Sequence, residues 1–181
     1  MRKIYILILT LLSIQASAQI QKVTLQASGL TCSMCSKSIY KSLTAVAFVQ
    51  EVRSDIKNSS FEISFKDSMQ VDLDVLQKAV TNAGFSVASC KAVVNFNNQS
   101  VKNDAHIEQN GKTWHFLNVQ PQTLNGIKTV VVVDKNFITT KEFKKYSKFT
   151  TMKCYETGVM ESCCTKSNST AGKRIYHVTI I

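Results

Sequence analysis

The chain has 181 residues, 44% of them hydrophobic and 19% charged, with six cysteines and a formal net charge of +10. That length and apolar content suit one or two ordinary hydrophobic cores and exclude a small disulfide-stapled scaffold. The basic balance marks a well-solvated surface, with an anionic partner or membrane surface as the alternative.

Residues 1–18 have the pattern of a signal peptide. Arg2 and Lys3 precede an apolar run from Ile4 to Ile14, and Ala16-Ser17-Ala18 offers small residues for cleavage. The run is shorter than the about 20 residues a membrane-spanning helix needs, so the chain is expected not to span a membrane. The expected location is periplasmic or secreted, which argues against nucleic acid as a partner. Removing Arg2 and Lys3 lowers the formal charge from +10 to about +8.

From Gln21 the chain alternates: Val23, Leu25 and Ala27 fall on one face and Lys22, Thr24 and Gln26 on the other, the period of a half-buried strand. Gly29 allows a turn. Ser28-Gly29-Leu30-Thr31-Cys32-Ser33-Met34-Cys35 then leads into a helical pattern of Ile39, Leu43 and Val46. Two cysteines two residues apart at the start of a helix suit three chemistries: a soft-metal grip, thiol redox exchange, or a simple disulfide. Met34, between them, is either a weak thioether ligand or a packing or exposed loop residue.

Val49–Asp55 and Phe61-Glu62-Ile63-Ser64-Phe65 predict a hairpin about Lys57-Asn58-Ser59-Ser60. Asp72 is placed to cap a second helix bearing Leu73, Leu76 and Val80, with Gly84 as its stop. Phe85–Val94 supplies a last strand. The order strand, helix, strand, strand, helix, strand predicts a ferredoxin-like βαββαβ domain over residues 19–94.

Gly29-Leu30-Thr31-Cys32-Ser33-Met34-Cys35 resembles the G-M-T-C-x-x-C signature of heavy-metal-associated domains, and Ala83-Gly84-Phe85 resembles their A-G-[YF] motif. Copper chaperones, amino-terminal modules of copper-pumping ATPases and periplasmic mercury-binding proteins share that domain. Leu30 stands where the family usually has Met, a swap that conserves volume. The resemblance implies Cys32 and Cys35 as metal ligands, Phe85 as a shield beside the metal loop, and Cu(I) as cargo, with Hg(II) or another soft ion as the alternative. Lys37, two residues into the helix, is placed to offset the negative charge of a dithiolate site. The implied partner is a metal donor or acceptor, such as a metal-transporting ATPase or a membrane transporter.

Residues 95–104 are polar and Asn-rich and read as a linker. Residues 105–181 read as a small, mostly β domain with one helix, completing an α+β chain. Asn110-Gly111 predicts a hairpin between Ala105–Gln109 and Lys112–Val119. Leu124-Asn125-Gly126 predicts a turn, Thr129–Val133 a buried strand, Thr139–Phe149 an amphipathic helix and Lys173–Ile181 a final strand. Trp114 is expected in the core. His106, His115 and His177 show no metal-ligand spacing and are expected to be structural or exposed. Met152, Cys154, Met160, Cys163 and Cys164 form a sulfur-rich stretch that suits a disulfide, an accessory metal site or thiols, with Cys90 a further candidate for pairing.

The expected function is an exported soft-metal carrier or sequestering protein rather than an enzyme, since no nucleophile–base pair, phosphate loop or paired carboxylates stand out. A periplasmic thiol–disulfide oxidoreductase and a non-metal adaptor that retains the fold are the alternatives.

Overall fold

A computed structural model describes residues 20–30, 33–109, 111–161, 164 and 172–181. The signal peptide expected over residues 1–18, Cys32, Asn110 and Cys163 lie outside the described residues.

The first half follows the expected order. Strand β1 (Ile20–Ser28) buries Val23, Leu25 and Ala27. Helix α1 (Ser33–Thr44) turns Ile39 and Leu43 inward. Strands β2 (Val49–Asp55) and β3 (Ser60–Phe65) pair antiparallel, and Phe61, Ile63 and Phe65 are buried. Helix α2 (Leu73–Asn82) is capped by Asp72, whose carboxylate accepts from the backbone N–H groups of Asp74 and Val75 at 2.9 and 3.4 Å. Gly84 at φ +89° stops it. The Ser42 hydroxyl donates to Ala79 O at 2.7 Å and ties α1 to α2.

Strand β4 departs from expectation. It runs from Ser86 to Val101, 16 residues, roughly 50 Å of extended chain. Residues 95–101 of the expected linker are therefore strand. Val94, Phe96 and Val101 stay buried, and the exposed Asn97 and Asn98 fall at a register shift between Phe96 and Gln99, where Asn98 adopts φ +46°. The polar run is a bulge within a strand. Gly126, expected in a turn, lies within β7 (Gln122–Val132) opposite Phe96 at that same irregularity, with φ +71°.

The second half also contains β5 (Ala105–Gln109), β6 (Lys112–Phe116), α3 (Thr140–Tyr146) with a short 3-10 turn at Ser147–Phe149, α4 (Cys154–Thr157) and β8 (Ile175–Ile180). Its strands do not make a sheet of their own. Among the described residues, all eight strands form one mixed sheet in the order β2-β3-β1-β4-β7-β8-β6-β5. The ferredoxin-like order β2-β3-β1-β4 is extended at β4 by antiparallel β7, and β6 runs parallel to β8. One hydrophobic cluster crosses both halves, from Leu25, Leu43 and Phe61 to Phe96, Trp114, Phe116 and Val178. Trp114 is buried in it, as expected.

Candidate metal centre

The first candidate site follows from the geometry of β1 and α1. Ser28, the last residue of β1, pairs with Ser86, the first of β4, and its hydroxyl donates to Ser86 O at 3.2 Å. That pairing puts Gly29 and Leu30 at the same end of the sheet as Gly84 and Phe85. Leu30 and Phe85 are both half-buried and pack on the main core. Gly29, at φ +77°, takes a left-handed conformation that lets the chain leave the sheet toward α1.

Cys35 lies in the first turn of α1 and is half-buried. The first turn carries no acidic residue. Met34 is 70% exposed and is not a packing residue. Lys37 is exposed on the next turn, where its ammonium faces solvent.

The sulfur-rich stretch forms a second cluster. Cys154, Met160 and Ile175 are buried together, with Met152 and Cys164 packed against them. Around Cys154 the structure adds residues that sequence spacing missed. His106 on β5 pairs with His115 on β6, and His115 with His177 on β8, so three imidazoles stand in a row across adjacent strands. The His106 and His115 rings stack with centroids 4.0 Å apart, and those of His115 and His177 meet edge to face at 5.0 Å. Cys154 Sγ lies 3.7 Å from His106 Nε2 and 3.8 Å from His115 Nδ1. Those three ligand atoms fall within 4.8 Å of one another.

The outer atoms of this row are also set. His115 Nε2 lies 2.9 Å from Asp104 Oδ1, and the carboxylate fixes the proton on Nε2 and the lone pair on Nδ1, toward Cys154. Asp104 holds φ +61°, an uncommon conformation at the residue that orients the imidazole. Burial, with the neighbouring His106 and His177, pushes the His115 imidazolium down to about 3, and burial lowers that of His106 as well. Both rings are neutral bases at neutral pH. His177 Nδ1 donates to Asp134 Oδ1 at 2.5 Å, while its Nε2 is buried with no hydrogen-bond partner among the described residues.

Cys154 is held firmly. The hydroxyl of its neighbour Tyr155 lies 3.0 Å from Val133 O and 3.1 Å from Phe143 O, and its ring stacks on Phe143 at 4.5 Å. The segment after α4 is stitched to β8 by Ile175 N to Gly158 O at 3.0 Å and Met160 N to Lys173 O at 2.8 Å.

The comparisons bear on the first half. Residues 24–86 match the family model of the heavy-metal-associated domain. This domain shares 30% identity over 71 residues with a probable copper-exporting P-type ATPase of Archaeoglobus fulgidus, covering 39% of this chain and 9% of that protein. Among solved structures, oxidised MerP from Ralstonia metallidurans CH34 is 32% identical over 37% of this chain and 94% of its own, with a TM-score of 0.34. The yeast copper transporter domain CCC2A, solved in apo and Cu(I)-loaded states, is 22% identical over 37% and 90%, with a TM-score of 0.33. Residues 20–94 have the expected ferredoxin-like order of strands and helices, and the chain spans 9% of the ATPase's length. Among the described residues, no helix is long and apolar enough to cross a membrane.

Proposed function

We propose that the chain is an exported carrier that binds Cu(I) through Cys32 and Cys35 and exchanges it with a metal-transporting ATPase or another membrane transporter. The observation that carries this reading is the match of residues 24–86 to the heavy-metal-associated domain, with Cys35 in the first turn of α1. Thiolates select Cu(I) and other soft ions. Two of them on one loop give a near-linear site that leaves room for a third thiolate from a partner, so the ion passes between proteins without being released to water. Lys37 offsets the negative charge of the loaded loop, and Phe85 shields it. Hg(II) is the alternative cargo. The role is carriage, not catalysis.

In the oxidising compartment that a signal peptide implies, metal loading competes with disulfide formation between the same thiols. The test is a Cu(I) titration of the reduced protein against a chromogenic chelator, beside the Cys32→Ser/Cys35→Ser variant. The wild-type chain is expected to withhold one more Cu(I) than the variant. Equal competition by the two proteins would overturn the reading, and efficient reduction of insulin disulfides would replace it with the redox one.

A further inference from the structure

We propose that His106 Nε2, His115 Nδ1 and Cys154 Sγ form a second, three-coordinate centre that takes a single Cu(I) ion. The centre shares no ligand with the Cys32–Cys35 loop.

Distances place the three donors within reach of one ion. A sulfur and a nitrogen bound to one ion at about 2.3 and 2.0–2.1 Å lie about 3.5–3.8 Å apart. The observed S···N separations are 3.7 and 3.8 Å. The His106 and His115 rings, stacked 4.0 Å apart, would turn on loading to aim their nitrogens at the ion. Among the described residues the group offers three donors; Zn(II) normally requires a fourth, whereas Cu(I) accepts three. The donor set of two imidazoles and one thiolate is one that copper sites use.

Cu(I) also suits the burial of the site. With one thiolate and two neutral imidazoles it forms a unit of no net charge. Such a unit can sit where Cys154 and His115 are both 0% exposed, with the Asp104 carboxylate bonded to the outer nitrogen of His115. Asp104 supplies the outer hydrogen bond that metal-bound histidines characteristically have. Met160 adds a buried thioether to the sulfur cluster around Cys154. His106 is half-buried on β5, the last strand of the sheet, and provides the exposed side from which an ion reaches the site.

Cys154, His115 and Asp104 also have the order of a nucleophile, base and orienting acid. Burial disfavours that use, because Cys154 is 0% exposed and an organic substrate is far larger than a single ion.

The test uses the full chain carrying Cys32→Ser and Cys35→Ser, so that failure of the first loop is not mistaken for failure of this one. Cu(I) is added anaerobically with reductant and a chromogenic Cu(I) chelator, and retained copper is measured. One Cu(I) per chain is expected, with an X-ray absorption spectrum fitted by two nitrogen neighbours and one sulfur. Asp104→Asn should weaken binding roughly 10- to 100-fold. Cys154→Ser and His106→Ala should weaken it further, with thermal unfolding of each apo variant confirming the fold. His106, being half-buried, gives the variant least exposed to misfolding. The proposal is overturned if the double variant retains no copper, or takes up Zn(II) in preference. It is also overturned if retained copper is indifferent to both Cys154→Ser and His106→Ala, or if Cys154 alkylates rapidly in the native protein.

Discussion

The Arg174 guanidinium grips the Asp74 carboxylate in a fork, Nε to Oδ2 at 2.7 Å and Nη2 to Oδ1 at 2.9 Å, across 100 residues of sequence. Its Nη2 also reaches Asp134 Oδ2 at 3.0 Å, and its face lies 4.4 Å from the centre of the Tyr176 ring. One side chain thus joins helix α2 of the metal domain to the strand that carries His177. Arg174→Ala leaves the buried Asp134 without its cation and should cost about 2–3 kcal/mol, between the values for exposed and fully buried pairs. Urea unfolding measures it. A change under about 0.5 kcal/mol would show that the fork is only a surface pair.

Gly84 sits at φ +89°, and an added Cβ there would meet no atom of the described residues within 4 Å. The penalty of Gly84→Ala is therefore conformational alone, about 1–2 kcal/mol. The unfolding midpoint should fall with little change in the denaturant slope. An unchanged midpoint would mean that α2 stops without needing the left-handed residue.

Cys90 is fully buried in β4, and burial pushes its thiol far above its ordinary value of 9.0. In the native protein Cys90 should resist alkylation at pH 8 and react fully in denaturant, read by mass spectrometry. The sign of its pH linkage follows. Above about pH 9 the unfolded chain loses the proton and the folded one keeps it, so this contribution to stability is full below that pH and declines above it. Cys90→Ala should flatten part of the alkaline loss of stability, and an identical alkaline profile would refute the assignment.

Lys37 is exposed one turn into α1, so its effect on a loaded dithiolate loop is screened. Lys37→Ala should weaken Cu(I) retention about two- to five-fold at low salt, consistent with a single charge near the surface, and less at high salt. Chelator competition at two ionic strengths reads both numbers. A salt-independent change would point to packing rather than charge.

Much of the first half was legible because its signals are local. The alternation of Val23, Leu25 and Ala27, the hairpin of Phe61, Ile63 and Phe65, and the Asp72 cap each act within a few residues. Asn95 to Gln99 misled because a bulge exposes polar side chains inside a strand, although the alternation of Val94 and Phe96 was already present. The row of histidines was half legible. Pairing Gln109 with Lys112 about Asn110-Gly111 sets His106 opposite His115. Parallel pairing of β8 with β6 and the fold-back of α4 bring in His177 and Cys154 from about 40–60 residues away, and no local pattern encodes contacts of that range.

Strand β4 carries β1 on one side and β7 on the other, and residues from Cys90 to Val94 are paired with both neighbours at once. Melting either half would strip backbone partners from the other. The protein should therefore unfold in one cooperative step, and the heavy-metal-associated domain and the imidazole row should gain or lose their settings together.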